Sequence, residues 1–268
     1  MATELIAVYV ALGALVGFLA GLLGIGGGMT IVPLLVALFT LQGFALEHVL
    51  PLAIGTAAAT IVFTSLSSAR AHHARGAVDW SIVRAMAPGL VIGSLVGPQI
   101  ATTLPARTMA AVFAVFMGFT AWRMVRNAQP KPSRSLPSAP GLIGVGAGIG
   151  LLSGIVGAGG AFLSVPFMVR CNVRMHAAVA TSSALGMPIA LAATAGFVIA
   201  GMRKSGLPPH SLGFVYLPAL GAIVVASMLT APLGARLAHA WDVAGLKRAF
   251  ALLMFGLGGY MAWRAVAG

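Results

Sequence analysis

The sequence predicts an all-α polytopic membrane protein built from two inverted-topology repeats, with 8–10 transmembrane segments and a glycine-broken helix in each repeat. Three observations carry this. First, 59% of the 268 residues are hydrophobic and only 7% are charged, against about 25% charged in a typical soluble domain. Second, GALVGFLAGLLGIGGGMTIVP near the start returns as GAGIGLLSGIVGAGGAFLSVP. A shift of 133 positions carries Gly13, Gly17, Gly21, Gly24, Gly26 and Gly27 onto Gly146, Gly150, Gly154, Gly157, Gly159 and Gly160, and Pro33 onto Pro166. Glycine is frequent here, 35 residues in all, but six in ungapped register mark a duplication. Third, the 16 basic residues alternate between loops in a way that gives the two copies opposite orientations.

In chain order, 4–23 reads as an apolar helix of about 30 Å, with Gly13, Gly17 and Gly21 on one smooth face suited to close packing in lipid. The cluster Gly24, Gly26, Gly27 and Gly28 breaks it. The helix over 29–40 is about 18 Å long, short of the roughly 30 Å hydrocarbon thickness. Spans follow at 50–69, 82–103 and 106–126, with Pro88 and Pro98 as candidate kinks. NAQPKPSRSLPSAP, 127–140, is a cytoplasmic linker by its prolines and serines. The second copy reads as 141–156, a break at Gly157, Gly159 and Gly160, then 161–170, 177–200, 211–236 and 246–266. The predicted organisation is therefore 1–126, linker, 141–268.

Placing the N-terminus outside puts Arg70, Arg75, Arg84, Arg123, Arg126, Lys131, Arg134, Arg170, Arg174, Arg236, Lys247 and Arg248 inside. Arg107, Arg203, Lys204 and Arg264 fall outside. The positive-inside rule favours this multi-pass topology in the cell inner (plasma) membrane. The net charge of +12 therefore reflects lipid anchoring. No basic stripe interleaved with aromatics points to nucleic acid. MATELIAVYV lacks a basic n-region and reads as a first span. The single Cys171 excludes an internal disulfide and a multi-cysteine metal site, and no metal or cofactor is expected.

Irregular backbone at membrane depth is tolerated only inside protein or along a cavity. Each break also presents the N-terminus of a short helix, whose unpaired N–H groups suit an anion. Thr30, Thr56, Ser164, Thr181, Ser182 and Ser183 supply hydroxyls nearby, with Thr56 and Thr181 paired at an offset of 125. The bland alternative for each hydroxyl is a bond to its own helix carbonyl. No Asp or Glu lies in a predicted span, which suits an anionic ligand. His48 and His176, at loop edges, are the candidates for proton coupling. No nucleophile–base pair or metal motif lies in the spans, so an enzyme is not expected. Gly256 and Gly259 offer a face for internal packing or a homo-oligomer.

At these motifs the chain resembles the sulfite exporter TauE/SafE family. The carriers are GLLGIGGGMTIVPLL and SGIVGAGGAFLSVPF, supported by GTAAAT, ATSSALG, HHARGAVDW and PLGARLAH. The resemblance implies a secondary transporter, often an exporter, of small sulfur-containing anions such as sulfite, sulfonates or sulfoacetate. The alternative is an uptake permease or channel for another small anion. The family's glycine motifs fall on Gly24, Gly26, Gly27, Gly28, Gly157, Gly159 and Gly160, and its hydroxyl motifs on Thr56, Thr181 and Ser182. Ala161 replaces the last glycine of the second cluster, and Ala57 stands where serine is common.

Overall fold

The computed structural model describes residues 2–23, 28–126, 133–237 and 243–267. It is all-helical apart from one small hairpin. The helices are α1 (Ala2–Leu23), α2 (Gly28–Leu41), α3 (Leu46–Ala74), α4 (Trp80–Ala101), α5 (Ala106–Val125), α6 (Ala139–Val156), α7 (Ala161–Arg170) and α8 (Met175–Met202). The hairpin β1 (Ser211–Leu212) and β2 (Val215–Tyr216) precedes α9 (Leu217–Leu237) and α10 (Val243–Ala267). Among the described residues, α3, α4, α5, α6 and α8 are long and apolar enough to cross a membrane. Gly24, Gly26 and Gly27 lie outside the described residues; Gly28 opens α2.

Helix α3 is the axis. Every residue from His48 to Ile61 is buried, as expected of a helix apolar all round. It runs antiparallel to α8: Gly55 lies against Phe197 and Gly186 against Ser65. We call the end where α3 starts the upper end. Helix α1 runs parallel to α9, with Gly13 against Ile223 and Gly17 against Ser227, so both start at the upper end. Helix α6 runs parallel to α4 from the lower end, with Gly146, Gly150 and Gly154 against Met86, Leu90 and Ser94. Helix α5 packs on α10.

The sequence marks only one side of the α4–α6 seam. The other side is Gly89, Gly93 and Gly97, which meet Ile143, Ala147 and Leu151. Glycines at i, i+4, i+8 on both helices let the two backbones touch. A methyl on Gly97 would stand 2.7 Å from the Leu151 carbonyl oxygen. Ser94 closes the seam by donating to the Gly150 carbonyl at 3.1 Å. In α10, Gly258 faces Met117 of α5, while Gly256 and Gly259 have nothing within 4 Å.

Both broken hairpins return to the end they come from. Gln42, just past α2, donates to the Tyr9 hydroxyl at 2.6 Å, and the Tyr9 and Phe39 rings meet. The Arg170 carbonyl closing α7 accepts from Ser133 and Arg134, just ahead of α6. Helix α7 has 10 residues, about 15 Å of rise, so it reaches only part-way through the protein.

One predicted span starts late. The span expected over 211–236 begins at Leu217; residues 211–216 are the hairpin instead. Gly213, at φ 55°, turns the chain tightly enough to press its backbone onto Val198 and Gly201 of α8. Phe214 is thereby buried, its amide donating to the Phe197 carbonyl at 3.2 Å.

The seam predicts a sharp contrast. Gly150→Val should strongly lower the thermal midpoint of the detergent-purified protein or abolish monodisperse recovery. Gly148→Ala, which meets nothing within 4 Å, should hold the midpoint or raise it, by up to about 1 kcal/mol of helix propensity.

Candidate functional site

The second glycine cluster can be followed atom by atom. Gly157 (φ 67°) ends α6 and Gly160 (φ 74°) opens α7. Both are left-handed, the conformation glycine adopts without strain. The Ser153 carbonyl accepts from the Gly157 and Ala158 amides and so terminates α6. The Gly160 carbonyl accepts from Leu163 and Ser164 and so starts α7. The amides of Gly159, Gly160, Ala161 and Phe162 find no acceptor among the described residues, as the first N–H groups of a helix do.

This tip sits near the middle of the two long helices. Gly157 lies against Ile54 and Gly159 against Ile61 of α3. Gly160 lies against Ile189 of α8 and against Ser153 and Ile149 of α6. Gly186 completes the surround: a methyl there would stand 3.5 Å from the Gly159 carbonyl oxygen. The break is thus enclosed by α3, α6 and α8.

The predicted hydroxyls divide into groups. Ser164 and Ser182 are buried and 2.7 Å apart, and Ser164 also donates to the Gly160 carbonyl at 3.0 Å. The structure therefore brings Gly157, Gly159, Gly160, Ser164 and Ser182 together. Ser183 donates to Val179 of its own helix. Thr30 lies on the other hairpin, 1% exposed and without a partner among the described residues. His48 and His176 sit at opposite ends. His48, expected at a loop edge, is buried in the first turn of α3, its Nε2 3.2 Å from the Ser205 carbonyl and 3.4 Å from the Glu47 carboxylate. His176 is exposed at the start of α8. No cluster of three or more metal-ligating side chains occurs among the described residues.

Thr56 and Thr181 form a matched pair. The Thr56 hydroxyl, in α3, accepts the Tyr216 amide at 3.0 Å, immediately before α9. The Thr181 hydroxyl, in α8, accepts the Asp79 amide at 3.0 Å, immediately before α4. Each threonine thus tethers the entry to a helix in the other half of the chain. Asp79 in turn caps α4, its carboxylate accepting from the Ser81 hydroxyl and from the Ser81 and Ile82 amides. The Ser81 hydroxyl holds the Asp79 carboxyl below its ordinary pKa; burial opposes it, and the Ile82 and Ser81 amides add to the lowering. A depressed folded-state pKa means the cap contributes stability above the usual carboxylate range and loses it as pH falls through the folded value.

Sequence reasoning missed Ser153. It is 1% exposed, and its Oγ has no partner among the described residues. Its signal was its place just ahead of the glycine turn, in SGIVGAGG.

The broken helix enclosed by long apolar helices, in this motif order, agrees with the comparisons. A family model described as "Sulfite exporter TauE/SafE" matches residues 9–261. The chain belongs to this family. It is 35% identical over 244 residues to a "Probable membrane transporter protein" of Haemophilus influenzae, covering 90% of this chain and 92% of the relative. A second relative of similar name in Bacillus subtilis is 26% identical, with 89% and 92% covered. A third, in Methanocaldococcus jannaschii, is 24% identical, with 85% and 82% covered. No solved structure matches. The TauE/SafE protein described here is accordingly a membrane transporter.

The matched threonines give a symmetric expectation. Thr56→Val and Thr181→Val each strand a part-buried amide, at up to about 1 kcal/mol, and should lower the midpoint by similar amounts. Thr56→Ser and Thr181→Ser should restore most of the loss, as read by thermal unfolding in detergent.

Proposed function

We propose that this protein is a secondary transporter that exports small sulfur-containing anions, such as sulfite, sulfonates or sulfoacetate, across the cell inner membrane. The observation that carries the reading is the α7 tip: free helix-start amides held near the midpoint of α3 and α8. A helix N-terminus presents about half a positive charge, and in a water-poor interior it attracts anions strongly. The family name gives the sulfur chemistry. The printed names of the relatives give transport without a substrate.

The pairing of the helices supports a reading as alternating access. Residues 1–126 and 141–268 act as two inverted repeats joined by the 127–140 linker. Hairpin α1–α2 enters from the upper end and α6–α7 from the lower. Rocking of one repeat against the other would open the tips to either side. The lower end carries Arg70, Arg75, Arg84, Arg123, Arg126, Arg134, Arg170 and Arg174, and the upper end Arg107, Arg203, Lys204 and Arg264. The positive-inside rule then makes the lower end cytoplasmic and places the N-terminus outside. In this reading Gly24, Gly26, Gly27, Gly28 and Thr30 form the first tip. Gly157, Gly159, Gly160, Ser164 and Ser182 form the second, and Thr56 and Thr181 hold the repeats around them. His48 and His176 are the groups available to carry a proton at either end.

Sulfite or a sulfonate should raise the thermal midpoint of the purified protein. The stabilisation is about 2.7 kcal/mol at a hundred times the dissociation constant. Gly160→Leu and the milder Gly159→Leu should each abolish sulfite efflux from loaded proteoliposomes while still inserting. Gly159 is informative because a methyl there meets only Ile61, at 3.4 Å. Full efflux in both variants overturns the site. Flux only in the inward direction, or equal shifts with chloride, moves the assignment to an uptake permease or a general anion channel.

A further inference from the structure

We infer that the Ser153 hydroxyl, together with the opening amides of α7, forms a binding site selective for singly charged oxyanions. This rests on the transport reading above and assigns it a residue and a charge state.

The first step is a count of hydrogens. An anion accepts hydrogen bonds and donates none, so only a free O–H can serve it. Ser164 spends its hydrogen on the Gly160 carbonyl. The 2.7 Å Ser164–Ser182 contact then takes the hydrogen of Ser182. Ser183 donates to Val179, and Thr56 donates to Leu52 at 2.7 Å. Of the hydroxyls of Ser153, Ser164, Ser182, Ser183 and Thr56, only that of Ser153 has an unspent hydrogen: it is 1% exposed and its Oγ has no partner among the described residues, whereas the Thr181 hydroxyl is engaged as acceptor by the Asp79 amide at the entry to α4. It is also in the right place, since that Oγ stands 3.5 Å from where a methyl on Gly160 would be. Gly160 lies within the run of open amides, which starts at Gly159. An unpartnered buried hydroxyl beside unpartnered helix-start amides is a donor set waiting for an acceptor.

The second step concerns charge. Every donor here is neutral. Helix α6 carries no titratable side chain. Helix α7 carries only Arg170, at its far end, about 15 Å from the tip. On α3, Glu47 and His48 lie at the upper end and Arg70, His72 and His73 at the lower; on α8, His176 lies at the lower end. On α4, Arg84 lies in the first turns at the lower end. The helix dipole supplies about half a charge. That can offset much of one negative charge. It cannot offset two, because the cost of taking an ion out of water rises with the square of its charge. The site therefore suits a sulfonate or hydrogen sulfite, and rejects sulfate and fully ionised sulfite.

The test is thermal unfolding of the full chain in detergent with methanesulfonate, sulfate and sulfite, for wild type and Ser153→Ala. Methanesulfonate should stabilise wild type equally at pH 6 and pH 8. Sulfite should lose apparent affinity across that interval as it sheds its last proton, and sulfate should be without effect. Ser153→Ala should weaken methanesulfonate about tenfold or more, the loss of one hydrogen bond to a charged group. Its ligand-free midpoint should stay the same or rise, because an unsatisfied buried hydroxyl has been removed. A residue that merely supports the fold would move that midpoint down. A wild-type shift that Ser153→Ala retains in full overturns the Ser153 assignment and leaves the transport reading standing. Equal shifts with sulfate and methanesulfonate overturn the charge selectivity. Absence of any shift with every sulfur oxyanion in wild type overturns this inference and the substrate class together.

Discussion

Backbone amides cannot be left bare in hydrocarbon, and the protein breaks a helix at mid-depth all the same. That conflict sets the architecture. A break whose N–H groups stay open must be walled off from lipid. The walls have to be long apolar helices that offer no competing acceptor. Helices α3 and α8 meet this need, crossing antiparallel with Ile54, Ile61, Gly186 and Ile189 turned to the tip. The unbroken burial of α3 from His48 to Ile61 is the structural cost of enclosing an irregular segment.

Enclosure in turn requires the helices to pack closely, and lipid gives no hydrophobic drive for that. The solution is backbone contact. The α1–α9 and α4–α6 seams each join a helix of the first half of the chain to one of the second. The same exchange operates at a single atom pair in Thr56–Tyr216 and Thr181–Asp79, both at 3.0 Å. These contacts cross between the copies near the entries to α9 and α4. A motion that opened one end would have to pivot about them or break them.

Much of this was legible in the sequence because glycine spacing carries it directly. The 133-residue register located the break at Gly157 to Gly160, and Gly146, Gly150 and Gly154 announced a packing face. Periodicity does not name the partner of such a face, so Gly89, Gly93 and Gly97 passed unnoticed although their spacing is the same. The 211–216 hairpin was hidden for a different reason. SLGFVY reads as apolar, and only the packing of Gly213 on α8 shows it to be a turn wedged beneath the surface. For the hydroxyls, sequence could nominate but not sort them. Whether a serine O–H is spent on a carbonyl is a matter of rotamer and neighbours, and that distinction separates Ser164 and Ser182 from Ser153.

The two halves of the chain also differ in where their unpartnered hydroxyls stand. At the second tip the free hydroxyl, Ser153, precedes the glycine turn; on the first hairpin the free hydroxyl, Thr30, follows it. The 133-residue shift places Ala20 opposite Ser153 and Leu163 opposite Thr30. The sequence register thus keeps the glycines of both clusters while the flanking hydroxyls differ. The entries differ likewise. A short turn leads from α3 to α4, while a longer segment with the hairpin leads from α8 to α9, where Tyr216 joins Tyr9, Phe39 and Phe44 in an aromatic cluster at the upper end. The two ends of the protein are therefore lined differently, and a solute meets a different surface at each.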